Sequence, residues 1–280
     1  MTRNASSLAA APAGPSRADP AWQFRRMAPQ GLLPSLLMLA GVVALWWLAS
    51  HQQWVSKVFL PTPEATLESL LWGLGWQGGS GELAVFTLAT VDRMIRGWLL
   101  ASLLGIFIGA MIGSSAIARA WIQPTLEFIR PMPASAMMPL AISIFGLSSN
   151  MVLVVVALGA MWPVLLATAQ GIASVHVRLR EVAANLELSR PAFIWKIGLP
   201  STLPDILGGM RLSLTVALIV SVVGEMIASQ AGLGQAILLA ARSFRASELF
   251  AGIVLLGAIG FVSNAVLALA ERRLLAWQHP

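Results

Sequence analysis

Few residues in this chain of 280 have types and spacings that could do chemistry. There is no Cys, which excludes disulfides, thiolate metal sites and Cys nucleophiles. His51, His176 and His279 stand far apart and lack metal-ligand spacing, so the residues imply no metal. No His, Asp and Glu cluster offers a membrane enzyme an active site. A phosphate-cradling loop needs Gly-Lys followed by Ser or Thr. The two lysines, Lys57 and Lys196, follow Ser56 and Trp195 instead, so the chain carries no ATPase motif. Glu225 sits in a long apolar stretch, where an ionisable side chain marks a functional position by default. It reads as half of a structural or gating ion pair, with an Arg on another span. Arg130 has two readings: attraction of an anion at the mouth of a path, or an interfacial anchor paired with Glu127 three residues earlier. Ser135, Met138 and Met226 stand near broken helices and suit a path lining, although ordinary helix packing accounts for them equally.

The elements that position these residues are set by the medium. Apolar residues make up 57% of the chain and charged ones only 11%, against about 25% charged in a soluble domain. Mean hydropathy is +0.78. These values exclude a soluble enzyme, a disordered chain and a nucleic-acid-binding domain, so no nucleic acid is expected as a partner. Six stretches are long and apolar enough to cross a bilayer, at roughly 31–50, 94–116, 132–149, 151–172, 206–228 and 249–270. The fold class is therefore all-α, a polytopic membrane protein with about six transmembrane helices. The third stretch is short and holds Pro133 and Pro139, and the fourth holds Pro163. Such breaks are tolerated in a bilayer where they face protein or a water-filled path. Ala118–Arg130 places Arg119, Gln123, Glu127 and Arg130 opposite Ile122, Leu126 and Ile129, an amphipathic pattern suited to an interface. Pro63–Trp76 is a second such piece.

Residues 1–30 read as a disordered cytoplasmic leader and 31–277 as the transmembrane domain. Six spans put both termini on one side. A cytoplasmic N-terminus places thirteen of the eighteen basic residues inside, in line with the positive-inside bias. Arg93 and Arg96 fall outside and fit this poorly, although Asp92 and Arg96 are spaced for a helical ion pair. Trp46, Trp47, Trp54, Trp98, Trp121 and Trp277 read as an interfacial belt against membrane lipid.

The longest inside loop, 173–205, opens with a helix whose apolar stripe is Val175, Leu179, Val182 and Leu186. Ser189 is placed as an N-cap and Pro191 lies in the first turn of a second short helix, about 190–198. Pro200 and Pro204 are expected to end that helix before the fifth span. Two short helices at an angle suit docking in a partner's groove, or lying on the surface without a partner.

The stretch Glu181-Val182-Ala183-Ala184-Asn185-Leu186, with Gly198-Leu199-Pro200 further on, resembles the EAA coupling loop of ABC-importer permeases. Leu60-Pro61-Thr62-Pro63, Arg130-Pro131-Met132-Pro133, Gly208-Gly209-Met210-Arg211, Gly224-Glu225-Met226 and Gly232-Leu233-Gly234 follow in the order seen in the nitrate/sulfonate/taurine branch. The resemblance implies a permease subunit without enzyme activity or cofactor, in a bacterial inner membrane with both termini cytoplasmic. It would move a small anion such as a sulfonate, taurine or nitrate inward by alternating access. Its implied partners are a separate ABC ATPase, a second permease copy as a homodimer and an extracytoplasmic binding protein. The coupling set would be Glu181, Ala183, Leu186, Glu187, Leu199 and Pro200. Ala183 would keep the helix thin, Leu186 would anchor it, and Glu181 would pair with an Arg of the ATPase or cap locally. Glu187 replaces the family's usual Gly, so the first helix is expected to run on to Leu188 and break at Ser189–Pro191. The competing reading is a self-contained secondary transporter or channel, which would place charges along its spans.

Overall fold

The computed structural model describes residues 32–276; the leader assigned to 1–30 and Trp277 lie outside them. The described residues form helices and turns, with no strand among them. Helix α1 (Leu32–His51) belongs mostly to a unit of its own. It is apolar on every side, and its 20 residues reach about 30 Å, the thickness of a bilayer core.

The second unit starts at Ser50. Helix α2 (Pro63–Gly73) begins where the Leu-Pro-Thr-Pro motif dictates: the Thr62 hydroxyl accepts the Ala65 N–H at 3.3 Å, and Pro63 fills the first turn. Then come α3 (Glu82–Gly113), α4 (Ala116–Ile129), a 3-10 turn (Ala134–Met137) and α5 (Met138–Phe145). Helix α6 (Ser149–Ala173) is followed by α7 (Val177–Asn185), α8 (Arg190–Phe193), α9 (Leu199–Ala228), α10 (Leu233–Arg242) and α11 (Ala246–Leu274). Five helical stretches are long and apolar enough to span a membrane: α1, α3, α6, α8 continued into α9, and α11.

Four expectations change. The second span starts at Glu82 instead of 94, so Asp92, Arg93 and Arg96 lie within the helix. A hydropathy count excludes charges that the fold itself satisfies. Arg96 pairs with Asp92 at 2.5 Å, and Arg93 turns inward. The third span is not a straight crossing. Helix α4 and the segment Ala134–Phe145 are bent by 84°, because Arg130-Pro131-Met132-Pro133 lacks the donors to carry a helix through. Counting that pair as one span gives six. Pro200 and Pro204 do not stop the second loop helix. Residues 190–228 run on as one 39-residue helical stretch, through a π-helical turn at Ile194–Gly198. The Ser201 and Thr202 hydroxyls donate to the Ile197 and Gly198 carbonyls at 2.6 and 2.7 Å, adding bonds where the prolines remove them. Finally, Trp98 is no lipid-facing belt residue: its indole N–H donates to the Met210 carbonyl at 2.9 Å, tying α3 to α9.

The core is a three-helix packing of α3, α6 and α9. Helix α3 presents Gly97, Ala101, Gly105, Gly109 and Gly113, all buried and each four residues apart, so they form one smooth face. A Cβ on Gly109 would stand 2.6 Å from the Leu165 carbonyl oxygen, and one on Gly113 the same distance from that of Ala169. The two backbones touch because the side chains are missing. Gly109→Val is expected to abolish monodisperse protein in size-exclusion chromatography. Gly208→Ala, at a helical glycine with nothing within 4 Å of its Cβ, should instead raise stability by up to about 1 kcal/mol. Equal behaviour of the two variants would contradict this packing.

Candidate functional site

The loop is built by caps at every joint. The His176 Nδ1 accepts the Arg178 N–H at 3.2 Å and starts α7. At its other end, the Glu187 N–H donates to Ala184 O and the Leu188 N–H to Ala183 O, both at 3.0 Å. This is the Schellman arrangement, with Glu187 in the left-handed region at φ +50. The helix therefore stops at Asn185 and does not reach Leu188. Glu187 takes the conformation that a Gly would take there, so the substitution leaves the turn in place. Ser189 caps α8 by accepting the Ala192 N–H at 3.4 Å.

One residue binds this loop to the bundle. The Arg180 guanidinium donates to the Ile172 and Ala173 carbonyls, each at 2.8 Å, and to Val175 O at 3.2 Å. It satisfies orphan carbonyls at the C-terminus of α6, where a cation also meets the negative end of the helix dipole. Its Cζ lies 5.9 Å from the centroid of the Phe193 ring on α8. Arg180 thus clasps α6, α7 and α8 together. Sequence reading overlooked it, because helix periodicity shows only that it lies off the apolar stripe.

That stripe divides in the structure. Val175 is buried, while Leu179, Val182 and Leu186 are exposed, Leu186 by 65%. Ala183 faces inward at 6% exposure and packs the helix against its own chain. Glu181, Glu187 and Pro200 are exposed and Leu199 is half-buried. Trp195, which the sequence did not single out, adds a 74% exposed apolar surface at the π-turn.

Toward the other end of α9 lies a buried polar cluster. Glu225 is fully buried. One carboxylate oxygen pairs with the Arg93 guanidinium of α3. The other accepts the Thr90 hydroxyl at 3.0 Å and the Gly234 N–H at 2.9 Å. The Thr90 oxygen in turn accepts the Leu233 N–H at 2.9 Å. Arg93 also donates to the Ser149 hydroxyl and the Ala231 carbonyl, each at 3.3 Å. The first turn of α10 supplies two backbone donors, which favours negative charge at this spot. A Cβ on Gly232 would collide with the Glu225 carboxylate, and one on Gly234 with the Val222 carbonyl. The Gly-Glu-Met and Gly-Leu-Gly motifs, on either side of the α9–α10 turn, are therefore two halves of one carboxylate cradle. Arg93 and Thr90 were missed as members. Their spacing of three residues places them on one face of α3, which was the available signal.

A cavity of about 420 Å³ opens between the α4–α5 break, the middle of α6 and α9. Arg130 and Ser135 line it, with Trp162 and Leu158 from α6 and Val216 and Val220 from α9. Arg130 does not pair with Glu127, which instead accepts the Gln123 amide at 2.8 Å. The remaining candidates lie elsewhere. Met138 is fully buried against Gly224, and neither Met226 nor Glu225 lines this cavity.

Residues 101–276 match the family described as binding-protein-dependent transport system inner membrane component. Among curated relatives, a Bacillus subtilis permease named for aliphatic sulfonates is 34% identical over 252 residues, covering 89% of each chain. The Escherichia coli taurine transport system permease is 33% identical over 87% of this chain and 89% of its own. A Synechococcus elongatus bicarbonate transport system permease is 26% identical over 88% of this chain and 90% of its own. A solved chain of an amino acid ABC transporter crystallised with histidines superposes with a TM-score of 0.54 at 22% identity. It covers 68% of this chain and 93% of that one, which shows a shared fold.

Two outcomes test these geometries by thermal unfolding of the purified chain. Arg93→Met leaves the Glu225 carboxylate buried without its cation and should cost about 3–5 kcal/mol, whereas Arg93→Met combined with Glu225→Met should recover most of it. Glu187→Gly removes a left-handed non-glycine residue, worth about 1–2 kcal/mol, and should raise the midpoint, while Glu187→Ile lowers it.

Proposed function

We infer the function from one premise: this chain belongs to the family of binding-protein-dependent transport system inner membrane components. It is a multi-pass permease subunit of an ABC importer and moves a small solute inward. The arrangement of the loop supports a docking role. Leu179, Val182 and Leu186 hold an apolar surface open on a helix that Arg180 fastens to the bundle. The occupant of that surface is a separate ABC ATPase, since Lys57 and Lys196 sit in no phosphate-binding loop. Leu186 is the anchor; Glu181, Glu187, Leu199, Pro200 and Trp195 surround it. A second copy of the chain completes the membrane part, and an extracytoplasmic binding protein delivers the solute. The loop and both termini face the cytoplasm, as the basic excess inside requires.

Coupling then has a mechanical route. Closure of the ATPases on ATP pulls α7 and α8. Arg180 passes the movement to the end of α6. The 39-residue stretch from Arg190 to Ala228, about 58 Å long, carries it to the Arg93–Glu225 cluster across the membrane. ATP binds the two states differently and so shifts their populations, which alternates access. Glu225 acts in this scheme as a gating or positioning ion pair and does not contact solute. The path passes the cavity at Arg130 and Ser135, while Met138 and Met226 pack the helices. The solute is a small anion: a sulfonate, taurine or bicarbonate, the kinds named for the relatives, or nitrate.

The test is uptake of labelled taurine or a labelled alkanesulfonate in cells that produce this chain together with its partner ATPase and binding protein. Leu186→Asp should insert in the membrane at normal levels yet lose at least 90% of uptake. Wild-type uptake in that variant would remove the docking assignment. Uptake that persists after deletion of the ATPase gene would instead favour a self-contained transporter.

A further inference from the structure

The relatives carry names for quite different anions, and the cavity at the α4–α5 break discriminates among them chemically. Three observations bear on it. The first is size. At about 420 Å³ it is an order of magnitude larger than the roughly 30 Å³ that one water occupies in the liquid. A bicarbonate or nitrate would fill a small part of it. The cavity is open where Arg130, Ser135 and Ile219 are exposed, and a small oxyanion at Arg130 would leave Leu158, Val216, Ile219 and Val220 without an apolar contact.

The second observation is charge. Arg130 is the one ionisable side chain in the lining, and it has no ion pair within the described chain. A guanidinium fork matches the two-oxygen edge of a sulfonate or carboxylate. The Ser135 hydroxyl stands five residues on, across the break, as a further donor on the same lining. No Asp or Glu lines this cavity. The ammonium group of a zwitterion such as taurine would therefore meet no carboxylate. By contrast, a separate cavity of about 510 Å³ is lined by Glu68, Glu82 and Glu248, and its Arg245 is held by Glu248 at 2.9 Å.

The third observation is the wall. Trp162 and Leu158 of α6 line the cavity together with Val216 and Val220 of α9. Gly159, on the same turn of α6, lets the 3-10 turn close in: a Cβ there would stand 2.6 Å from the Ala134 Cβ. An aromatic ring with aliphatic neighbours provides a lining for a hydrocarbon body.

We propose that this cavity is a selective binding site within the permease itself, for a singly charged organic anion with an apolar body. Arg130 and Ser135 hold the anionic head, and Trp162, Leu158, Val216 and Val220 enclose the alkyl or aryl part. The site rejects zwitterions and inorganic oxyanions. Solute selection is thus exercised a second time inside the membrane, after the binding protein. The proposal rests on the importer reading above for its place on the transport path.

The test is equilibrium binding of methane-, butane- and hexanesulfonate, taurine and bicarbonate to the full chain in phosphatidylcholine nanodiscs, with empty nanodiscs subtracted. Burial of each methylene should tighten binding about fourfold along the sulfonate series. Taurine and bicarbonate should show no saturable binding over the same range. Arg130→Gln should weaken every sulfonate at least tenfold, and Trp162→Ala should flatten the dependence on chain length with the head contact retained. A flat series in the wild-type chain, no saturable sulfonate binding, or unchanged binding in Arg130→Gln would each overturn the site. So would loss of hexanesulfonate binding when phosphatidylglycerol is added to the discs, since the cavity would then belong to an anionic lipid. The two readings fail separately. ATP-dependent uptake of hexanesulfonate at the wild-type rate in Arg130→Gln would remove the site and leave the importer. The expected binding pattern in a chain whose uptake ignores the ATPase would remove the importer and leave the site.

Discussion

A carboxylate with no exposed surface must find all of its partners inside the protein. Glu225 finds three: Arg93, the Thr90 hydroxyl and the Gly234 N–H. Removing two charges from water costs several kcal/mol per ion, and this is recovered only where geometry and supplementary hydrogen bonds are good. The cluster meets that condition only if four elements stand in fixed places. Helix α3 must present Thr90 and Arg93 on one face. Helix α6 must begin at Ser149 to receive Arg93. Helix α10 must start within hydrogen-bond reach of Glu225, which in turn forbids side chains at Gly232 and Gly234. Most of the tertiary arrangement near this end of the bundle follows from satisfying one ion pair.

The opposite end of the same helices is held by a different kind of contact. There Arg180 meets carbonyls at the frayed end of α6, and Phe193 through its ring. These bonds are partly solvated and go to main-chain oxygens, so they are easier to rearrange than the Glu225 cluster. Between the two lies the π-turn at Ile194–Gly198, a geometry found mostly as short insertions at functional positions. The bundle is therefore firmly locked at one end and adjustably fastened at the other. That asymmetry suits the proposed role of the loop as the part a partner moves.

Much of this was legible in the sequence, for identifiable reasons. Apolar length marks spans because an unsatisfied backbone group in lipid costs several kcal/mol, so α6 and α11 stand close to where hydropathy places them. Ser189 before Pro191 announced the start of α8, since an N-cap acts over three residues. The failures share a cause as well. Hydropathy cut α3 short at 94 because a window counts Arg93 as a charge, and no local window contains Glu225, 132 residues away. Pro200 looked like a stop because a proline rule says nothing of a π-turn that shifts the bonding pattern. Glu187 looked unable to adopt a glycine conformation, yet the two Schellman bonds around it hold φ at +50. The candidate site shows the same division. Leu186 and Arg130 were visible as residues, but Trp162 and Trp195 gain their roles only from what surrounds them.

The cavity lies between the two ends. Its walls are Leu158 and Trp162 on α6, and Val216 and Val220 on α9. Those helices touch on either side of it. On the loop side, Gly209 packs against Pro163 and Ala167, and Ser213 donates to the Ala160 carbonyl at 2.6 Å. On the other side, Gly224 packs against Val152. With the Glu225 end fixed, the coupling movement proposed above would enter at Arg180 and act on α6 and α9 about their close glycine contacts. Both helices line the cavity, so a tilt between them would change its space. The third wall, with Arg130 and Ser135, belongs to the break that Pro131 and Pro133 make between α4 and α5, and its 3-10 turn packs on α6 at Gly159. If a solute is held at Arg130 as proposed, such a change would give it different affinities in the two arrangements of the helices. Differential affinity of this kind is the requirement for coupling a bound solute to a conformational change.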